Sequence, residues 1–441
     1  MKLTVIIVSY NVSHFLEQCL KSVIKASHAL QVEVIVVDNC SEDDSVSMIR
    51  NKFPEVNLIV NPDNKGFSKA NNQAILISKG EYILLLNPDT VLEENSLTRT
   101  LCFMDTHPEA GGLGIRMIDG QGYYLPESKR GLPTPWASFC TMSHLSLFFP
   151  HSAFFNRYHA GHLDENKTNK IEVLAGAFML LRRKILDEIG LLDEDFFMYG
   201  EDIDLSYRIT KAGYFNYYFP EAWMIHFKGE STRKSSLNYV RLFYGAMLIF
   251  ARKHFAGKNE RLLSLVILPG VYFRAVIAMI SNKLNSLVHS SFWSFISVTF
   301  NKILPSFLKI KWIGKPQEKL QVVLIIASLT EAILIEELVK QKTPVGVLTV
   351  NIRVNHKDMG HIYSFETLEG IDLFQNITEK IKQIHPDEII FSAKELTTDD
   401  IIILMCQLKK YAIPYRIAHT DIHTIIGSNF VRTLQASIVS A

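Results

Sequence analysis

Three short clusters carry the side chains with which this chain could do chemistry. Asn87-Pro88-Asp89 follows the apolar run Tyr82–Leu86. A carboxylate at the end of a strand, aimed into a crevice, suits an oxygen-ligated divalent cation. Mg2+ or Mn2+ takes one or two carboxylates and leaves its other positions to water or diphosphate oxygens. Asn-Pro-Asp-Thr is also a good turn, so its position decides its reading. Glu201-Asp202-Ile203-Asp204 sets three carboxylates within four residues. They repel one another unless something positive is near. Such a run suits a helix N-terminus, where acids meet the dipole and Asp202 caps. It equally suits a general base that takes the proton of a hydroxyl, and capping would then fix the base's orientation. His226 ends an aromatic run and precedes Phe227-Lys228-Gly229-Glu230-Ser231, Thr232, Arg233 and Lys234. A lone histidine there is usually structural, but the glycine, cations and hydroxyls after it suit a loop closing over phosphate.

A fourth cluster is Asp63-Asn64-Lys65-Gly66-Phe67 with Asn71 and Asn72. Gly66 lets backbone approach a ligand closely, and a helix starting near Ser68 could turn its first amides toward an anion. Neither GxGxxG nor GxxxxGK[ST] occurs here, which excludes dinucleotide and P-loop sites in this half.

The elements that must position these residues are legible as periodicity. Leu3–Val8, Val32–Val37, Leu58–Val60 and Tyr82–Leu86 are short, β-rich apolar runs without polar alternation. Helical stretches lie between several of them, near Val12–Ala26, Ser45–Lys52 and Ser68–Ser78. That pattern predicts a parallel sheet covered on both faces. The runs end in Ser9-Tyr10-Asn11, Asp38-Asn39, Asn61-Pro62-Asp63 and Asn87-Pro88-Asp89. In an open α/β sheet the ligand crevice lies outside the carboxyl ends of the strands, so four polar clusters converge on one site. Gly112–Asn169 is irregular and reads as long loops flanking the site. Regular pattern resumes over Ile171–Leu181, then a helix over Arg182–Ile189 closed by Gly190, then a helix from Asp202 to Gly213.

The chain has 441 residues, 48% of them hydrophobic, with a formal net charge of +1. These values support two or three folded domains and give no global field to draw in nucleic acid. Five scattered cysteines without a CxxC pair read as reduced thiols in a cytoplasmic protein. The apolar run after Met1-Lys2 is too short for a signal-peptide core. Leu262–Ile280, broken by Pro269 and Arg274, approaches the length of a membrane span, and Phe292–Phe300 is followed by Lys302, Lys309 and Lys311. This stretch reads as interfacial helices on a membrane surface, or else as packing onto the first domain or an interface between copies in a homo-oligomer. After Pro316, runs at Leu320–Ala327, Val345–Val350 and Glu388–Ser392 alternate with helical stretches at Thr330–Lys342, Ile377–Ile384 and Thr398–Tyr411, predicting a second, smaller α/β domain. The expected division is therefore 1–255, a helical connector 256–315, and 316–441.

Taken together, Val8-Ser9-Tyr10-Asn11, Val37-Asp38-Asn39, Asn64-Lys65-Gly66-Phe67 through Asn71, Leu86-Asn87-Pro88-Asp89-Thr90, Gly176, Phe197–Leu205 and His226–Ser231 resemble the inverting family 2 glycosyltransferases, in particular their bacterial rhamnosyltransferase-like branch. The resemblance covers about the first 255 residues. It implies the GT-A fold, a Rossmann-like mixed sheet that binds a nucleotide-diphosphate sugar. It implies that Tyr10 stacks on the donor base and Asp38 holds the base or ribose. Asn87-Pro88-Asp89 stands where the family has Asp-x-Asp, so Asp89 is the expected ligand of a divalent cation and Asn87 a weaker contact. His226 completes the metal or diphosphate site, and Asp202 is the expected catalytic base. Ser9, Asn11, Asn39, Lys65, Gly66, Phe67, Asn71 and Arg233 are expected on the nucleotide sugar. Gly176, Glu201 and Asp204 are expected to support the acceptor side. The implied reaction moves a sugar from a dTDP- or UDP-sugar to a hydroxyl of a glycan or lipid-linked acceptor, on the inner face of the cytoplasmic membrane. A catalytically silent scaffold that binds a sugar nucleotide is the alternative; intact Asp89, Asp202 and His226 argue against it. A nucleotidyltransferase would bring a glycine-rich signature near its N-terminus, which Val8-Ser9-Tyr10-Asn11 is not. The tail more loosely resembles the nucleotide-binding-like domain of polysaccharide sugar-phosphate transferases and sugar epimerases, through Val322–Ala327, Asp387-Glu388-Ile389-Ile390 and Ile425-Ile426-Gly427. Its first strand runs into Ala327-Ser328-Leu329-Thr330 rather than a glycine-rich turn, which counts against dinucleotide binding and leaves a regulatory or assembly role equally open.

Overall fold

The computed structural model describes residues 1–28, 30–227, 237–255, 321–342, 347–352, 373–419 and 424–427. Two compact units form: Met1–Thr232 with Gln321–Ala441, and Arg233–Leu320. Leu262–Ile280, Phe292–Phe300 and the loop Lys228–Lys234 lie outside the described residues, as does Arg233.

The first unit opens with β1 (Leu3–Ser9), α1 (Ser13–Ala26), β2 (Val32–Asp38), α2 (Ser45–Lys52), β3 (Asn57–Val60), α3 (Phe67–Ile77) and β4 (Tyr82–Leu86). β3, β2, β1 and β4 pair in parallel in that order, with Ser9 level with Asp38. Every residue of β1 and of β4 is buried, because helices cover both faces. Leu3, Val5 and Ile7 pack with Leu16, Leu20 and Val23 of α1. Ile6 and Val8 face the other way, onto Ala70, Ala74 and Ile75 of α3.

The sheet continues through β5 (Thr90–Leu92), α4 (Ser96–Thr106), β6 (Ala110–Ile118), α5 (Pro135–Met142), α6 (Leu145–Phe148), β7 (Asn169–Ile171), β8 (Phe178–Arg182), α7 (Arg183–Ile189), α8 (Glu201–Lys211) and β9 (Phe215–His226). The strand order is β3-β2-β1-β4-β8-β6-β9-β5, with β7 on β9. β8 runs antiparallel to β4, so the sheet is mixed. The expectation that Gly112–Asn169 is irregular is corrected at its start, because β6 is a nine-residue strand between β8 and β9. Its glycines hide it from propensity. They are there for space: a Cβ on Gly111 would come within 2.4 Å of Ile209, and one on Gly112 within 2.4 Å of Leu174. The expected run Ile171–Leu181 divides into β7 and β8.

In the second unit α9 (Leu237–Phe255) is described. The tail holds β10 (Gln321–Ile326), α10 (Leu329–Lys342), β11 (Val347–Ile352), α11 (Leu373–Ile384), β12 (Glu388–Ser392), α12 (Thr398–Leu408), β13 (Tyr415–His419) and β14 (Thr424–Ile426). Its sheet has the order β11-β10-β12-β13-β14, parallel except for β14. The expected βαβ pattern is present, and β13 and β14 extend it.

The tail packs directly on the catalytic sheet. Val12, Phe15, Val91 and Phe227 share one apolar cluster with Ile401, Ile402 and Met405. Glu94 reaches across this seam: its carboxylate accepts the backbone N–H of Thr398 at 2.7 Å and of Asp399 at 3.2 Å. Those are first-turn amides of α12, which no intrahelical carbonyl can satisfy.

Candidate active site

The carboxyl ends of β1, β2 and β4 open onto a cleft of about 260 Å³, lined by residues of all three strand ends together with Gly66, Gly176, Asp202 and His226. Three of the four polar clusters expected to converge, at the ends of β1, β2 and β4, line this cleft, whereas Asn61-Pro62-Asp63 does not. Ser9, Tyr10, Asn39, Phe67, Asn87 and Glu201 also face it.

On the donor side, Tyr10 is 44% exposed at the end of β1, leaving its ring face open. Ser9 Oγ and Asp38 Oδ2 are buried and take no hydrogen bond, although Asp38 Oδ1 accepts Ser41 N–H at 2.9 Å. Buried polar atoms are paired as a rule, so two orphans at adjacent strand ends mark a place prepared for polar groups of a ligand. Asn39 Nδ2 donates to Gly66 O at 3.1 Å and ties the β2 end to the loop before α3. Gly66 sits at φ +81°, where a Cβ would come within 2.6 Å of Phe197 O. Here glycine is required both by its backbone angle and by the approach of the Phe197 segment. That segment is anchored by Phe67 N–H donating to Phe197 O at 2.7 Å.

Some expected donor residues stand behind the cleft rather than on it. Asn11 holds the loops together, accepting Glu42 N–H on Oδ1 at 2.7 Å and donating its own N–H to Ser41 Oγ at 2.9 Å. Lys65 pairs with Asp63 at 2.5 Å. Asn71 donates to Phe67 O at 2.9 Å within the first turn of α3.

Asp89 is buried beneath the cleft. Its Oδ1 lies 3.4 Å from His226 Nε2, within ion-pairing range, yet takes no aligned hydrogen bond. β5 and β9 bring the two together: Thr90 pairs with His226, and Phe227 N–H donates to Asp89 O at 2.9 Å. The carboxylate and the imidazole form a two-ligand set. Among the described residues no group of three His, Cys, Asp or Glu side chains is placed to hold a metal. An ion here would draw its other ligands from water or substrate, which is how Mg2+ and Mn2+ are commonly held.

On the acceptor side, α8 begins after two consecutive left-handed residues, Tyr199 (φ 69°) and Gly200 (φ 85°). Gly200, not Asp202, is the N-cap, and no side chain caps the helix, which corrects the capping role expected of Asp202. With the cap taken by glycine, the Asp202 carboxylate faces the cleft. Arg130 Nη2 contacts Asp202 Oδ2 and also donates to Leu174 O at 2.7 Å. Gly176 N–H approaches the same Oδ2 at 3.4 Å, and Ile203 N–H donates to Oδ1 at 2.8 Å. Burial pulls the Arg130 guanidinium pKa down, but the charges and hydrogen bonds of Asp202 and Tyr158 together outweigh it, so the group stays firmly cationic. Glu201 is buried beside them. Burial first, and the Asp202 charge second, push its carboxyl up to about 8, against an opposing pull from Arg130. Near neutral pH the adjacent acids therefore differ: Glu201 keeps its proton, and Asp202 is the partner of a cation. Asp204 turns away, pairing with Arg208 Nε at 2.8 Å, while Arg208 binds the carbonyls of Ile189, Gly190 and Leu191. It braces the helix.

Arg130 and Glu127 are cleft residues that the sequence reading missed. They lie in the aperiodic segment after β6. The signal for them was indirect: three clustered carboxylates demand a nearby cation, without saying which.

Residues 4–190 match the family model described as Glycosyl transferase family 2. The chain is 28% identical over 266 residues to N-acetylglucosaminyl-diphospho-decaprenol L-rhamnosyltransferase of Mycobacterium tuberculosis, spanning 58% of this chain and 85% of that protein. It is 29% identical over 132 residues to the poly(ribitol-phosphate) beta-N-acetylglucosaminyltransferase TarS of Staphylococcus aureus, spanning 29% of this chain and 23% of TarS. A crystal structure of S. aureus TarS 1-349 with UDP superposes with a TM-score of 0.37 at 19% identity, over 60% of this chain and 70% of that one, too distant to argue from. The mixed sheet, with its cleft at the strand ends, is a GT-A architecture. On this likeness the amino-terminal region, residues 4–190, is that of a family 2 glycosyltransferase.

Proposed function

We propose that the chain transfers a sugar, with inversion and with the help of a divalent cation, from a dTDP- or UDP-sugar to a hydroxyl of a glycan or lipid-linked acceptor in cell-surface polysaccharide synthesis. The observation that carries this reading is Asp202, an acid that lines the cleft and is held there by Arg130 and the Gly176 amide.

Tyr10 offers its ring to the donor base, and the orphaned Ser9 Oγ and Asp38 Oδ2 accept hydrogen bonds from base or ribose. Asp89 and His226 are the residues that would hold Mg2+ or Mn2+; the buried Asp89 Oδ1 without a donor fits a cation better than it fits a structural hydrogen bond. When bound, such an ion neutralises charge on the departing diphosphate. Arg130 fixes the Asp202 carboxylate, and its oxygens keep lone pairs for the acceptor hydroxyl's proton. Glu201, still protonated, can donate a hydrogen bond beside it. The hydroxyl oxygen attacks the anomeric carbon as Asp202 takes its proton, and the nucleoside diphosphate leaves. A single displacement of this kind inverts the anomeric centre and leaves no sugar on the enzyme.

Two observations support a lipid-linked acceptor and work at the membrane surface. The M. tuberculosis relative is named for a decaprenol-linked acceptor. In addition, α5 begins five residues after Arg130 and is inverted: Ala137 and Cys140 are buried, while Trp136 and Phe139 face outward. Leu147, Phe148 and Phe154 extend that exposed apolar surface, and contiguous patches of this kind mark contact sites. Among the described residues no helix is long and apolar enough to cross a membrane.

The test is a panel of nucleotide sugars with Mn2+ or Mg2+, read by nucleoside diphosphate release. One donor is expected to turn over slowly without acceptor, and Asp202→Asn is expected to bind that donor and not turn it over. Full activity in Asp202→Asn removes the residue as base, and turnover indifferent to EDTA removes the metal role of Asp89.

A further inference from the structure

A second cavity, of about 300 Å³, lies at the seam where α1 meets the carboxyl ends of β12 and β13. It matches the donor cleft in size. In a sheet of parallel strands this is the end at which ligands bind. Lys21 and Lys25 of α1 line it from the catalytic side and Lys394 from the tail; no Asp or Glu is among its lining residues. Lys25 has a carbonyl oxygen, that of Ala393, at 3.5 Å. Lys394 contacts Glu331 at 2.6 Å but keeps 62% of its side chain exposed. Gln18 lines the same space. It is 2% exposed, and both its Oε1 and its Nε2 lack a hydrogen-bond partner. An unpaired buried amide is costly at each end. At the same position a leucine would pack without that cost. The amide suits a ligand that presents a donor and an acceptor side by side, and the lysines suit an anion.

We propose that this seam cavity binds a small organic phosphate, with its phosphoryl group among Lys21, Lys25 and Lys394 and its donor–acceptor head on Gln18. Because one wall belongs to α1 and the other to the tail, occupancy ties the two together. The tail is then a ligand-sensing module attached to the catalytic sheet.

The test uses the full chain in chelator, so that no cation carries a phosphate into the donor cleft. AMP, glucose 1-phosphate and inorganic phosphate are titrated separately by calorimetry. Saturable one-to-one binding of AMP or glucose 1-phosphate is expected. Lys25→Glu, a change at an exposed position, weakens it about tenfold or more. Gln18→Leu melts higher than the wild type in the absence of ligand and loses the ligand-induced rise in melting temperature. Tyr10→Ala, which removes the exposed ring proposed to hold the donor base, keeps the binding. No saturable binding of either organic phosphate overturns the proposal. So does unchanged binding in Lys25→Glu, loss of binding in Tyr10→Ala, or inorganic phosphate binding as tightly as the organic ligands.

Discussion

Glu201→Gln isolates the electrostatic cost of the acceptor side. The carboxyl has an ordinary value of 4.5, and in the fold burial and the neighbouring Asp202 raise it to about 8. A raised acid holds a proton in the native state that the unfolded chain has already released, so unfolded protein binds fewer protons and stability falls as pH rises between those values. Linkage gives a cost of about 1 kcal/mol at pH 5, about 2 at pH 6 and about 3 at pH 7, levelling near 5 above pH 8. The amide replaces the acid at nearly equal volume and carries no such term. The variant should therefore gain on the wild type steadily from pH 5 to pH 8. In urea the midpoint difference at pH 7 should be on the order of 1 M. Denaturation curves for both proteins at half-unit pH steps measure it. A difference that stays flat across that range would show that Glu201 is ionised in the fold, and the division of roles between the two acids would go with it.

Other perturbations have equally definite outcomes. Arg130→Met leaves the half-buried Asp202 without its cation, costing roughly 1–3 kcal/mol of stability, and should lower turnover far more than donor affinity; steady-state kinetics with separate donor titration checks the split. Gly66→Ala must move Phe197 and strain a left-handed backbone, costing about 1–3 kcal/mol, read as a lower melting temperature with weaker donor binding. His226→Ala should weaken donor binding when Mn2+ is present and leave it unchanged in chelator, and equal weakening in both would assign the histidine to packing.

The catalytic half was legible wherever burial alone sets the pattern. β1, β2 and β4 are mostly apolar, with no sustained polar alternation, because helices cover the sheet there, and their polar ends mark the cleft. β6 was not legible. Its glycines exist to let α8 and Leu174 come close, a tertiary demand that looks locally like a loop. The Asp204–Arg208 pair could have been read from its i,i+4 spacing, which would have set Asp204 apart as a brace. Arg130 could not, because it meets Asp202 from 72 residues away in a segment without periodicity. Nor could the N-cap at Gly200, since acidic first-turn residues look the same whether they cap the helix or face a substrate. In the tail, the alternation of strands and helices was visible, but its attachment to the catalytic sheet was not. Phe15 and Phe227 are as apolar as any residue of an interior.

That attachment has a consequence for how the chain comes into being. Phe227 follows His226 directly, and Ile401, Ile402 and Met405 of its apolar cluster leave the ribosome long after it. At ordinary rates of synthesis of ~5–20 residues per second, the strand that carries the histidine waits roughly 10–35 s for its cover. Until then the nascent catalytic sheet exposes Val12, Phe15 and Val91, and the Glu94 carboxylate has no helix to meet. A chain halted before residue 398 would thus be a strand-complete transferase with an open apolar flank, prone to association. The strand that carries His226 is covered only once residues 401–405 have been made.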